Sequence, residues 1–600
     1  MSTQEDQIEI ENDSVQQQTE ITDETFDRIA DQICLVWMER KERRKDRERQ
    51  WAEIDRQLRM EPKNPHKLKP NGRLDLNKVW MSEMELPLQT QTHEVLTADA
   101  RRLTLPDTGN WYECIVELSD EYTERLQGFG VDVTGEVEID GEPAAKIAGD
   151  ENDLLSSFLQ RQANQLVEGI QDYYRSQYDF GASLDGINAE AFKYGEGIGR
   201  ARLVKKPQIM NLALGDASKE IKFPALIPVS IKNTYLDDSP HATMHEGIFI
   251  DGGVIQHREV LLDDLKIASS RGSSDPNSLD GGWMEIRGID PKDKRGLVDL
   301  LEFEGDLVVP DGAKSSIVQR GVLVTVIVGK QGRKQAKRVI RFRFRKTPFN
   351  SYLEFPYHVE DITDRYASSP LMKGRVVQMS AVDALNRLLD SAALKNAPPV
   401  GYDRTDMYFA QRGGPEICPH AQWATVSELN VYDEVGGDPA AIAGVFTNLV
   451  QLYYDVTGVQ QPRLGQQTVS HTTAFAKNAE LQRGVVRTVD YVKNSLKGPL
   501  TRWLYMERFL LNETLTASRQ PVFIPGFSAW MEVSKGALPD RVWYNALGAD
   551  EPLREEQKRQ GRIAAAQQAL QIDLLRIQTG QQPILSTEKM IDAILSEGGW

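Results

Sequence analysis

Between Asp438 and Thr457 the sequence describes a helix that is apolar on most of its circumference, through Ala441, Ile442, Val445, Phe446, Leu449, Val450, Leu452 and Tyr453. A helix of that kind has to be covered nearly all round, by its own chain or by neighbours. Its limits are well marked. Gly436-Gly437-Asp438-Pro439 supplies a capping carboxylate followed by a proline suited to the first helical position, and Gly458 ends the helix.

The same device opens an earlier helix. Ser369 can cap and Pro370 suits the first turn, and from Met372 to Asn396 apolar residues recur at helical spacing: Met372, Val376, Met379, Val382, Leu385, Leu389 and Ala392. Ser380, Asp383, Arg387 and Asp390 form a polar stripe on another side, with Asp383 and Arg387 at the i,i+4 spacing that lets them pair. Pro398-Pro399 forbids continuation. At about 1.5 Å per residue this helix is roughly 37 Å long. Strand-and-turn sequence then fills the gap to Gly436, with alternation around Trp423-Ala424-Thr425-Val426. After Gly458 the chain is Gln-rich and uncapped as far as His471. A long helix follows from about Thr473 to Asn512, with Val485, Val489, Val492, Leu496 and Leu500 as its buried stripe. Gly498-Pro499 inside it is expected to kink rather than end it.

The rest of the chain is mixed. Met1 to Asp23 has almost nothing apolar to bury and reads as a flexible acidic tail. From Glu24 a helix places Phe26, Ile29, Ile33 and Trp37 at core spacing and runs into the charged stretch Glu39 to Arg49, a solvated helix face or a contact for DNA or a partner. Helices are expected at Leu88–Leu105, Leu154–Tyr178 and Ser183–Tyr194, with strands at Trp111–Leu118 and Ile198–Val204 and an exposed turn region or small hairpin at Gly128–Asp153. Lys222 to Glu360 is mostly strand: Ala225–Ile231, Gly247–Ile250, Val298–Phe303, Val322–Val328 and Val339–Phe344, interrupted by a short helix at Arg258–Ile267. Gly329-Lys330-Gln331-Gly332-Arg333-Lys334 concentrates positive charge at a hairpin. Pro521–Val533 and Arg541–Tyr544 read as strands, Pro552–Gln578 and Thr587–Leu595 as helices.

With 40% hydrophobic and 27% charged residues, 600 residues suffice for several domains or one interdigitated subunit. No run approaches the eighteen or so apolar residues of a membrane span, and the N-terminus lacks a basic-then-apolar leader, so no membrane partner is expected. Cys34, Cys114 and Cys418 are far apart, without metal-ligand spacing, and read as buried thiols. The net charge of −18 argues against a tight grip on nucleic acid, though an acidic conduit would let a polyanion slide.

Catalytic signatures are missing. No G-x-x-x-x-G-K-[ST] loop occurs; Gly329-Lys330 is followed by Gln331 and lacks the earlier glycine. Gly195-Glu196-Gly197-Ile198-Gly199 has a helix before it and a strand after it, the reverse of a dinucleotide loop, and reads as a tight turn. His241 and His245 have metal-compatible spacing only on a helix, and the sequence around them is extended. Neither a G-x-S-x-G elbow nor an H-E-x-x-H is present. No enzyme activity, metal or cofactor is expected.

The order helix from Ser369, small insertion, helix from Asp438, Gln-rich loop, long kinked helix resembles the portal proteins, or head-to-tail connectors, of tailed bacteriophages, and looks most like those of short-tailed phages. Supporting stretches are Leu88–Leu105 running into Pro106-Asp107-Thr108-Gly109-Asn110-Trp111, the turn Phe192-Lys193-Tyr194-Gly195-Glu196-Gly197, and Arg375–Asn386. The resemblance implies an α+β portal-type subunit: a flexible tail (1–23), an α/β wing (24–365), a first stem helix (366–397), a clip (398–437), a second stem helix (438–457), a tunnel loop (458–472), a long kinked wing helix (473–513) and a helical crown (514–600). It implies a homo-oligomeric ring, about twelve subunits, at one capsid vertex of the virion, made in the host cytoplasm. Double-stranded DNA would be packaged and ejected through that ring without sequence preference. The terminase motor, a tail adaptor or head-completion protein, and capsid and scaffolding proteins would be its partners. Gln460, Gln461, Arg463, Gln466, Gln467 and His471 are the candidates for contacting DNA from the tunnel loop; an ordinary solvent loop is the plainer reading. Met407, Tyr408, Phe409 and Trp423 are the candidates for partner docking at the clip, or equally its own small core. Two readings from other classes stay open: a phage DNA-processing enzyme with an unrecognised site, and a monomeric scaffold or interaction protein. The last is favoured if the apolar helix from Asp438 is covered within one chain.

Overall fold

The computed structural model describes residues 23–62, 80–105, 111–128, 138–139, 142–143, 151–207, 220–237, 243–245, 248–276, 281–311, 315–331, 334–347, 350–360, 366–398, 400–403, 422–425, 430–431, 437–459, 487–515, 520–524, 529–534, 536–539 and 541–547. The fold is mixed α+β. The chain divides into two compact units, one made of residues 1–43 and 233–346, the other of residues 44–232 and 347–600. No described helix is long and apolar enough to cross a membrane.

The first unit is an antiparallel sheet clad on both faces. Strands β8 (Ile248–Leu261), β9 (Leu297–Asp311), β10 (Ser315–Gln331) and β11 (Lys334–Phe344) form a meander, and β6 (Thr234–Tyr235) and β7 (Thr243–His245) pair with β8. On one face lies helix α1 (Asp23–Arg43), whose Ile29, Ile33 and Trp37 are buried as their spacing requires, together with Ala30 and Cys34. They pack against Ile255, Leu301, Phe303, Val324, Val326 and Phe342. Burial pushes the Cys34 thiol up to about 11. The other face is covered by helix α7 (Leu262–Arg271), whose Leu262 and Leu265 meet Val298, Leu300, Ile327 and Ile340. The helix expected at Arg258–Ile267 therefore begins later. Residues 254–261 instead continue β8 in register with β9, from Val254↔Glu304 to Leu261↔Leu297, because ladder pairing with a long partner overrides local preference. A bulge at residues 251–254 brings Gly253 against the Phe303 ring, where an added Cβ would lie 2.0 Å from the ring edge. In the last turn of α1, Arg40 donates to the Tyr235 carbonyl at 3.0 Å and the Gly253 carbonyl at 2.5 Å, fastening the helix across β6 and β8.

The second unit joins α2 (Lys45–Leu58), α3 (Leu88–Thr104), α4 (Asp120–Gly128), α5 (Glu151–Ser176) and α6 (Phe180–Tyr194) with small sheets. Strand β1 (Tyr112–Val116) pairs with β18 (Val542–Ala546), and β4 (Glu196–Pro207) lies between β5 (Glu220–Val229) and β12 (Tyr352–Pro356). Two hairpins add β2 (Glu138–Ile139) with β3 (Glu142–Pro143), and β16 (Gln520–Ile524) with β17 (Ala529–Val533). The glycines around Glu196 serve close packing. Gly195 ends α6 at φ +95°, and a Cβ on Gly197 would sit 2.2 Å from the Ile187 carbonyl of α6. The main core gathers Tyr112, Leu126, Leu166, Ile170, Phe223, Leu504, Leu511, Ile524 and Tyr544 from five separated regions.

Through that core runs a buried ion pair. Arg175 of α5 holds Glu507 of α10 (Lys497–Thr514), its Nε 3.0 Å from both carboxylate oxygens and its Nη2 2.6 Å from one. The guanidinium also lies 4.6 Å from the Tyr112 ring and 5.0 Å from that of Trp111. The long helix does continue through Pro499 as expected, and the adjustment lies one turn earlier, in a π turn at Val492–Leu496. A widened turn there accommodates the missing N–H and the ring of Pro499. The helix expected from about Thr473 to residue 486, the C-terminal segment 551–600 and Cys418 lie outside the described residues.

Candidate functional site: the paired helices α8 and α9

Helix α8 (Pro370–Asn396) starts where its sequence says it should. Ser369 Oγ accepts from Met372 N at 2.9 Å and itself donates to the Lys193 carbonyl, so the cap also fixes the helix to the end of α6. Helix α9 (Pro439–Thr457) is capped by Asp438, which accepts from Ala440 N at 3.0 Å, and is closed by Gly458 at φ +76°. Between them stands a small sheet of β13 (Val400–Asp403), β14 (Gln422–Thr425) and β15 (Asn430–Val431), with β13 parallel to β14 and antiparallel to β15.

The two helices run antiparallel and very close. Gly374, near the start of α8, faces Tyr453 and Thr457, near the end of α9; a Cβ there would come within 2.7 Å and 2.8 Å of them. The buried face of α8 is a row of small or polar residues, Gly374, Gln378, Ala381, Ala384 and Ser391, closed at its ends by Leu371 and Leu394. Tyr453 and Tyr454 pack with Leu88 of α3, and the Tyr453 hydroxyl donates to Thr92 Oγ1 at 3.2 Å.

A polar seam absent from sequence reasoning holds the base of α8. Gln378 accepts from Gln89 N at 3.0 Å and donates to the Leu86 carbonyl at 2.9 Å and to Glu85 at 3.1 Å. Glu85 also pairs with Arg56 of α2 at 2.9 Å. Higher up, Asn386 makes both an accepted and a donated bond with the Met84 backbone, and Asp390 accepts from Ser82 N at 2.6 Å. The segment 82–86 thus lies along α8 like a strand bonded through side-chain amides. Only the amide and carboxylate spacing at Gln378, Asn386 and Asp390 signalled it in the sequence. Asp383 and Arg387 do not pair; both are exposed, where the small gain of an ion pair does not fix two long side chains.

The apolar residues that define these helices point elsewhere. Val376 is 57% exposed, Leu389 38%, Val445 54% and Leu452 47%, while Met379, Val382 and Leu385 are only partly covered. Ala440, Ala441 and Gly444 are exposed too, and a Cβ on Gly444 would meet nothing within 4 Å. Along the whole of α9 the only charge is Asp455. Apolar side chains are thus exposed on both helices, among exposed polar neighbours such as Ser380, Thr447, Asn448 and Gln451.

The exit from α9 is fastened as well. Arg487, where the described chain resumes, donates from Nη1 to the Val456 carbonyl at 2.7 Å and lies against Gly458. Both ends of segment 460–486 are thereby held at one point. Gln460, Gln461, Arg463, Gln466, Gln467 and His471 fall within that segment, and Met407, Tyr408 and Phe409 within 404–410; all lie outside the described residues. Trp423 is on β14, its backbone in register with Gly401 of β13. No family model matches this sequence, and no curated protein matches it.

Proposed function

We propose that this chain is the subunit of a portal ring at one capsid vertex of a tailed bacteriophage, a channel through which double-stranded DNA enters and leaves the head. The observation that carries this reading is the exposure of Val376 and Leu389 on α8 and of Val445 and Leu452 on α9 in a single chain. Val376, Leu389, Val445 and Leu452 each gain about 1 kcal/mol on being covered, and a ring covers all four on every subunit at once. A monomeric scaffold would bury these side chains internally, so their exposure favours assembly.

In this reading α8 and α9 are stem helices walling the channel. The β13–β15 region with Met407, Tyr408, Phe409 and Trp423 is the clip that docks the terminase motor and later the tail adaptor. Segment 460–486 carries the tunnel loop, where Gln460, Gln461, Arg463, Gln466, Gln467 and His471 touch DNA by amide hydrogen bonds and one charge per subunit. Repetition around the ring multiplies a contact that is small by itself and has no sequence preference. The chain's net charge of −18 keeps the polyanion sliding.

Light scattering with negative-stain imaging of the same fraction tests the assembly. Rings of about twelve subunits with a central hole are expected, and a Val445→Asp, Leu452→Asp variant should remain at 67.6 kDa with its helix content intact. Wild-type protein that stays at 67.6 kDa at every concentration and salt would overturn the reading. Deleting residues 459–468 should leave rings intact and impair genome packaging or retention. A Trp423→Ala ring should bind the motor less well.

A further inference from the structure

In a chain of net charge −18, one surface of the first unit is cationic. It lies at the turn joining β10 to β11 and at the adjoining segment 285–296, which the β10 end holds through paired backbone bonds between Asp290 and Lys330. Lys330 Nζ donates to the Lys292 carbonyl at 2.6 Å and Arg338 Nη1 to the Arg287 carbonyl at 2.9 Å, so these cations are drawn onto the segment that carries Arg287, Lys292, Lys294 and Arg295. Some of the positive charge is answered locally. Arg287 pairs with Glu285, Arg295 with Asp293, Lys292 with Asp299, and Lys337 with Asp31 of α1; Glu259 and Asp290 lie nearby. Among the described residues Lys294, Lys330, Lys334 and Arg338 have no carboxylate partner, and all four are exposed.

The same unit is where the acidic N-terminus is tethered. Residues 1–22 contain Glu5, Asp6, Glu9, Glu11, Asp13 and Glu20 and no Lys or Arg. They lead into α1, whose Phe26 rests on Phe342 of β11 at 5.7 Å between ring centroids. From Phe342 back to Lys334 at the turn is roughly 26 Å along the strand at about 3.3 Å per residue. An extended segment of this length reaches up to about 70 Å. Reach, opposite charge and a covalent tether coincide, and the tether raises the local concentration of the acidic segment far above that of any free polyanion.

We propose that residues 1–22 occupy the cationic surface of their own chain at Lys330, Lys334 and Arg338, shielding it from nucleic acid. The contact is ionic, so added salt weakens it. Two measurements on the full-length protein test it. Carbodiimide coupling joins a lysine amine to a carboxylate as an amide, the carbodiimide taking up the water released, and mass spectrometry locates the products. Links from Lys330 or Lys334 to carboxylates of residues 1–22 are expected, within single copies in a mixture of light and heavy-nitrogen protein. Absence of those links, or links only between copies, would overturn the proposal. Independently, Glu5→Gln, Asp6→Asn, Glu9→Gln, Glu11→Gln, Asp13→Asn and Glu20→Gln combined should tighten binding of a short duplex DNA probe about tenfold at low salt. Adding Lys330→Glu, Lys334→Glu and Arg338→Glu should abolish that gain. DNA affinity that ignores the neutralised tail would make the surface a nucleic-acid site instead and remove the tail as its occupant.

Discussion

At the scale of single residues, the second unit depends most on the pair Arg175 and Glu507. Both are buried, and removing one strands the other's charge in the core. Arg175→Ala should cost about 3–5 kcal/mol in denaturant unfolding, and Arg175→Met with Glu507→Leu should recover most of it. Two partly buried groups give stability opposite dependences on pH. Burial and the neighbouring Asp172 carboxylate push Glu168 up to about 7, so the folded chain holds a proton that the unfolded chain releases near 4.5. Its contribution is complete below about 4.5 and is lost as pH rises through about 7. Burial beside Lys193 lowers His93 to about 4, so its contribution is present above 6.5 and is lost as pH falls toward 4. Melting temperatures followed across this range should rise at neutral pH in Glu168→Gln, and should fall less steeply in acid in His93→Gln.

At the scale of elements, the sequence located helices by their caps and periodicity, and these survive: Ser369 with Pro370, Asp438 with Pro439, and Gly458 all stand where the pattern required. Direction was harder to read. In α8 the strongly apolar positions Val376 and Leu389 face outward, and the buried face is built on Gly374, Ala381 and Ala384, which carry little hydrophobic signal of their own. Periodicity reports which positions are apolar and is silent on what covers them. The same limit hid the seam along residues 82–89, since the partner of Gln378 lies far away in the chain. Because Gly374 sets the approach of α9, Gly374→Leu should force the two helices apart and cost about 1–3 kcal/mol, read by thermal unfolding. Gly444→Ala, which meets nothing in one chain, should be tolerated or slightly stabilising in the isolated subunit.

At the scale of the whole molecule, each unit has its own core: Ile33, Phe303 and Val326 in the first, Ile170, Leu511 and Tyr544 in the second. Ile33→Asp should therefore remove hydrogen-exchange protection from β8–β11 while amides of α5 and α10 stay protected; equal loss in both would show one cooperative body. The mixed class and most element positions follow from the sequence. The pairing of β1 with β18, hundreds of residues away, does not, because strand alternation carries no address for its partner. The candidate DNA-contacting residues come from a resemblance in element order and fall within segment 460–486, outside the described residues.

The Arg487 clasp on Val456 and Gly458 separates the frame from whatever it carries. Because the clasp joins the end of α9 directly to the helical turn that leads into α10, a disturbance of either is passed to the other.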